Sequence, residues 1–208
     1  MRQGFRTFFC SLTPALLVVV WNSALANATS IHHTKKPQEF TEVRLLTPYT
    51  AEGLNHNIKI TKTLHGECWT TSQSDQSRPN TWRCQAEQKI YDPCFVNPVR
   101  HNNQVICITD PWNNNAVELT LDNALPSNQA ARFNHQSAQP WALELANGNH
   151  CTLITGPSLH VAGMATAYQC KSAVLVGKID KNHEQWTIFY LENNSLFMKQ
   201  MPILAAWY

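Results

Sequence analysis

Trp141-Ala-Leu-Glu-Leu-Ala-Asn-Gly-Asn-His-Cys-Thr-Leu-Ile-Thr155 is the stretch on which the fold turns. Trp141 to Leu145 alternates large apolar and smaller or polar side chains, the period of a half-buried strand. Asn147-Gly148 follows as a two-residue hairpin signal, and Cys151 to Thr155 reads as the return strand, stopped by Gly156-Pro157. The same grammar continues downstream. Ala165–Cys170, Ala173–Ile179, Trp186–Leu191 and Phe197–Trp207 are strand-like, with Asp180-Lys-Asn-His and Glu192-Asn-Asn-Ser as turns between the later ones. Upstream, Ile58–Leu64 and Ala116–Leu121 alternate, and Gln104–Ile108 is a short buried run ending at Asp110-Pro111. Helical periodicity is almost absent. Thr81 to Gln88 is the one place for a short helix, and Ser72 to Asn80 is polar enough to read as an exposed loop. The expectation is an all-β domain over residues 41–208: a single antiparallel sandwich or irregular barrel/meander of eight or nine strands, with at most one short helix.

The cysteines fit that picture. Of seven, Cys10 lies in an apolar N-terminal run, leaving Cys68, Cys84, Cys94, Cys107, Cys151 and Cys170. Six cysteines in an exported chain read as three disulfides, although fifteen connectivities exist. Sequential pairing is favoured: Cys68–Cys84, Cys94–Cys107 and Cys151–Cys170. The last pair is the firmest, because its members sit in successive strand-like runs. The first two pairs are exchangeable on sequence grounds.

The N-terminus has the three parts of a cleavable export signal. Arg2 and Arg6 form a basic head, Phe8–Trp21 is the apolar core, and Ala24-Leu-Ala26 offers small residues for cleavage after Ala26. The apolar run contains Pro14 and is shorter than the roughly 20 residues of a membrane span. Residues 1–26 are read as the signal peptide and 27–40 as a flexible polar leader. Without Arg2 and Arg6, the 16 basic residues become 14, equal to the 14 acidic ones. A formally neutral chain lacks the basic surface that nucleic acid demands, and net charge will not drive it onto anionic lipid.

Chemistry is harder to find. His65-Gly-Glu-Cys68 and His150-Cys151 put imidazole beside sulfur, but no Cys-x-x-Cys or zinc spacing occurs, so no metal is assigned. His32-His33 lies in the leader. Gly-x-Ser-x-Gly is absent, and Ser158 with His160 reads as a turn. Glu67, Asp75, Asp92, Asp110 and Glu144 are carboxylates with no spacing that selects a glycosidase pair, and Asp92-Pro93 and Asp110-Pro111 read as turn-formers. No phosphate or dinucleotide loop exists, so no cofactor is expected. Trp69, Trp82, Trp141, Trp186 and Trp207 fit core packing, the first two over a disulfide. Trp112, in Asp110-Pro-Trp-Asn, is the candidate ligand contact.

Gly66-Glu-Cys-Trp69, Trp82-Arg-Cys84 and Ile90-Tyr-Asp-Pro-Cys-Phe95 form a pattern together with Pro140–Gly148, Cys151 and Tyr168-Gln-Cys170. In it the chain resembles a group of uncharacterised secreted bacterial proteins, from about Lys59 to Trp207. The resemblance implies a bacterial, extracytoplasmic setting and carries no activity with it. Asn27-Ala-Thr29 and Asn193-Asn-Ser195 match the glycosylation pattern, which in a bacterium is incidental.

The functional expectation is a secreted or periplasmic, non-enzymatic binding domain for a protein, peptide or glycan. A secreted hydrolase of cell-wall or host polymers, using unidentified carboxylates, is the alternative. An inhibitor-like module working through residues 69–83 is a third.

Overall fold

The computed structural model describes residues 39–76, 78–97, 103–126, 134 and 136–208. The expected signal peptide and most of the leader, with His32-His33 and Asn27, lie outside them. Among these described residues fifteen strands follow one another: β1 (Glu42–Arg44), β2 (Tyr49–Thr50), β3 (Gly53–Leu54), β4 (Lys59–Thr71), β5 (Thr81–Ala86), β6 (Lys89–Val96), β7 (Gln104–Asp110) and β8 (Asn115–Leu121), then β9 (Ala142–Leu145), β10 (His150–Leu153), β11 (His160–Val161), β12 (Met164–Cys170), β13 (Ala173–Asp180), β14 (Thr187–Glu192) and β15 (Met198–Trp207). The protein is all-β, with no helix among the described residues.

Two closed sheets account for most of it, and both belong to one compact unit, Pro37–Tyr208. The first is a five-stranded meander, β4-β5-β6-β7-β8. In an up-and-down meander of odd count, the first and last strands run the same way, so closure has to be parallel. It is: Lys59–Gly66 of β4 runs alongside Asn115–Leu121 of β8. The second barrel is β9-β10-β12-β13-β14-β15, an even count, and β9 closes on β15 antiparallel. Strand β1 adds in parallel to β15 beyond the end of β14. Thr41 pins that addition, its buried hydroxyl donating to the Ile203 carbonyl and accepting from the Trp186 N–H.

Alternation explains how the barrels meet. Val105 and Cys107 point into the first barrel, whereas Ile106 and Ile108 face outward. Leu143 and Leu145 point into the second barrel, and Ala142 faces outward. The outward residues, with Phe95, Ala116, Trp141, Ala205 and Trp207, form a third apolar cluster between the barrels. The run Val105–Ile108 is apolar throughout because both of its faces are covered.

All three disulfides join directly opposed residues on neighbouring strands: Cys68–Cys84 across β4 and β5, Cys94–Cys107 across β6 and β7, Cys151–Cys170 across β10 and β12. Gly66, two residues before Cys68, is required by the same closeness. A Cβ there would come within 2.6 Å of the Gln85 carbonyl oxygen.

Several local expectations are corrected. Thr81–Gln88 is not a helix. Trp82, Cys84 and Ala86 alternate inward as β5, and Glu87 and Gln88 form the turn, with φ of 47° and 63°. Left-handed values at both central residues, with Ala86 opposite Lys89, make this the two-residue hairpin of primed type. Asn147-Gly148 is not one. Gly148 donates to the Leu145 carbonyl and has a φ of 78°, while Leu145 donates to Asn149, which is a three-residue loop with a glycine bulge. Each non-glycine residue held left-handed costs on the order of 1–2 kcal/mol. Glu87→Asn with Gln88→Gly is therefore expected to stabilise the protein by about 1–2 kcal/mol in urea unfolding, and a loss of stability would contradict the turn assignment. Asp92-Pro93 is not a turn either. It lies within β6 with a cis peptide bond, where the pairing with β5 shifts register and the missing proline N–H is accommodated.

Candidate functional site

A pair of concavities lies where β13 loses register. Val176 pairs with Phe189 and Asp180 with Thr187, so three residues of β13 stand opposite one of β14. Gly177 makes the excursion with a φ of 77°, and a Cβ on it would meet the Met164 sulfur at 3.2 Å. On one side of this bulge is a groove of about 770 Å³, bordered by Gln73, Gln76, Gln139, Thr155, Ser158 and Met164. On the other is a groove of about 440 Å³, bordered by Gln136, Ser137, Asp180 and Asn182. Gln139, Gly177 and Lys178 line both.

Each wall is held. Residues 136–140 are tied down by Lys181, whose Nζ donates to the Ala138 carbonyl at 2.7 Å and to the Tyr208 hydroxyl at 2.9 Å. Burial pushes that ammonium below the usual lysine range. Tyr168 donates to the Pro140 carbonyl at 2.7 Å, and burial raises its hydroxyl well above the ordinary tyrosine value. The opposite wall, with Gln73 and Gln76, comes from the loop after β4. Asp92 organises that loop, accepting from Ser72 Oγ and from the Gln73 and Ser74 amides. Arg83 then donates to Asp92 at 3.0 Å and to Thr155 Oγ1 at 2.8 Å, joining the first barrel to the groove wall on the second.

This corrects in part the reading of Ser72–Asn80 as an exposed loop, since Gln73, Gln76 and Pro79 are exposed while Ser72, Ser74 and Asp75 are not, and it weakens residues 69–83 as an inhibitor surface. Ser72, Ser74 and Asp75 are buried: Ser72 Oγ donates to the Asp92 carboxylate, Ser74 Oγ to the Asp92 carbonyl, and the Asp75 amide to Ser72 Oγ. Composition alone cannot distinguish a polar loop facing water from one folded onto a carboxylate.

The groove's chemistry is amide and hydroxyl. Among the described residues bordering it, Asp180 is the one carboxylate, and its Oδ1 is engaged by the Asn182 amide. A carboxylate does meet a histidine elsewhere, His65 Nε2 lying 3.0 Å from Asp122 Oδ1, but both side chains are more than half exposed. Glu67 and Asp122 border a smaller depression there. Three sulfurs, of Cys84, Cys94 and Cys107, lie within 4.8 Å of one another, yet each is committed to a disulfide and offers no thiolate. The same holds for Cys68 and Cys151, the partners in the His65 and His150 pairings considered for zinc.

The tryptophans exchange roles relative to expectation. Trp82, Trp141, Trp186 and Trp207 are buried, as core packing requires. Trp69 is not: it sits at the bulge between Cys68 and Thr70 and is 49% exposed. Trp112 is half-buried, stacked on His150 at 4.2 Å and edge-on to Trp207 at 5.6 Å. One face of the candidate ligand platform is thus already occupied. The groove residues Gln139, Met164, Gly177 and Lys178 escaped the sequence reading. The available signal was Gly177 inside an otherwise apolar strand, which marks a bulge or a close approach.

The chain matches no protein-family model, no curated protein and no solved structure.

Proposed function

We propose that the protein is an extracytoplasmic, non-enzymatic binding domain of a bacterium, exported by its N-terminal signal, which takes a peptide or glycan segment in the groove along the β13 bulge. The observation that carries this reading is the lining of that groove. Glutamine, serine and threonine side chains each donate and accept, which matches the alternating donors and acceptors of a sugar or a peptide backbone. Lys178, shared by both halves, supplies one positive charge for an acidic substituent. A bulged strand beside a concave site is a recurrent way to aim side chains at a ligand. The hydrolase alternative requires two carboxylates about the scissile bond, and the groove is bordered by Asp180 alone among the described residues.

Arrays of envelope glycans and of extended peptides test the reading. The oxidised protein is expected to retain a subset of one array. Gln139→Ala with Lys178→Ala should weaken that retention by at least about tenfold, the worth of one or two lost polar contacts, with the native fold kept and only the modest loss of stability that goes with the Gln139–Tyr168 hydrogen bond. Equal retention by the variant would remove the groove from the proposal.

A further inference from the structure

The connection between β14 and β15 carries the most exposed large apolar residues of the described chain, Leu196 at 94% and Phe197 at 84%. They are presented by a built turn. Asn194 is left-handed with a φ of 66°, Ser195 donates its amide to the Glu192 carbonyl, and Ser195 Oγ accepts from the Phe197 amide at 3.1 Å. Asn193 donates to the Ser172 carbonyl, fastening this turn to the one between β12 and β13. Ser195 and the backbone thus brace the turn, and the Leu196 and Phe197 side chains are left in water. Two lysines lie next to the turn in the chain, Lys171 beside Ser172 and Lys199 two residues after Phe197 with its Nζ 5.4 Å from the Tyr190 ring centroid, against the single acid Glu192.

We propose that this tip docks the protein on a phospholipid bilayer, with Leu196 and Phe197 entering the interfacial zone and Lys171 and Lys199 meeting headgroup phosphates. Two observations select lipid. Two side chains expose on the order of 300 Å² of apolar surface, far below the roughly 800 Å² per partner of a stable protein interface. A protruding apolar pair is nevertheless enough to contribute to bilayer partitioning, which scales with apolar area inserted and is reinforced by nearby cations. The charge is of the matching sign. A formally neutral protein is not drawn to anionic lipid as a whole, so apolar insertion has to supply the attraction, and the tip is where that surface is concentrated. The groove is built on Gly177 and residues 136–140 instead, so the proposal stands independently of the ligand reading.

Co-sedimentation of the oxidised protein with phosphatidylcholine vesicles, with and without phosphatidylglycerol, is the test. Binding is expected to both, tighter with phosphatidylglycerol and weakened by salt in that case only. Leu196→Ser with Phe197→Ser should lower binding at least about tenfold while leaving the melting temperature unchanged, because both positions are exposed. Lys171→Gln with Lys199→Gln should abolish the preference for phosphatidylglycerol. Failure to bind either vesicle, or undiminished binding by the serine variant, would overturn the proposal. So would a dimer in sedimentation velocity that the serine variant loses, which would assign the tip to a second copy of the chain.

Discussion

Asp92→Ala is expected to destabilise the protein by about 3–5 kcal/mol in urea unfolding, the range for removing one member of a buried ion pair. The Asp92 side chain is 4% exposed and that of its partner Arg83 12%. Alanine would strand the guanidinium in a nearly dry site and release the Ser72 hydroxyl and the Gln73 and Ser74 amides together. Asp92→Asn keeps the shape and one acceptor oxygen, so a smaller loss of about 1–3 kcal/mol is expected. The order of the two variants is the diagnostic. If alanine cost less than about 1 kcal/mol, the network would be a surface feature and the loop before β5 would not be anchored by it. Because Arg83 also bonds Thr155 and the loop carries Gln73 and Gln76, the same variant should loosen the groove's walls.

The second large effect concerns Cys94–Cys107. Its 13-residue separation corresponds to about 3 kcal/mol of unfolded-state entropy, and Cys94→Ala with Cys107→Ala should lose at least that. Both residues are fully buried, so the alanine pair also leaves a cavity, and the corresponding serine pair would bury two hydroxyls in an apolar core. Against a typical stability of about 5–15 kcal/mol this is a large fraction. Cys151→Ala with Cys170→Ala acts on the other barrel, whose core is separate, so its cost should add to the first nearly in full. Chemical unfolding of the two double variants and their combination measures this. A combined loss well short of the sum would mean that the barrels share one core.

Sequence legibility followed contact range. The disulfides were readable because each bridges opposed residues of strands close in the chain, and the strands from Trp141 onward were readable from alternation and turn chemistry. Barrel closure was not. Lys59 meets Asn115 and Ala142 meets Trp207 across long separations, and no local pattern reports which strands will close a sheet. The one clue was the doubly apolar run Val105–Ile108, which needed a second layer to cover it. Turns misled where residue identity and geometry parted. Glu87-Gln88 adopts the primed turn without a glycine, and Asn147-Gly148 takes a longer loop. Trp112 stands out in the sequence by its loop position, but its stacking partner His150 comes from a strand of the other barrel. The groove depends on an irregularity of β13 that only Gly177 announces.

The most direct test of the binding proposal follows polymer length as well as retention. The oxidised protein is incubated with whichever glycan or peptide the arrays identify, and the ligand is recovered and sized. The proposal predicts saturable retention, lost in the Gln139→Ala, Lys178→Ala variant, with ligand recovered at its original length. Progressive shortening by the wild-type protein, absent from a buffer control, would contradict it and make the groove that of a hydrolase.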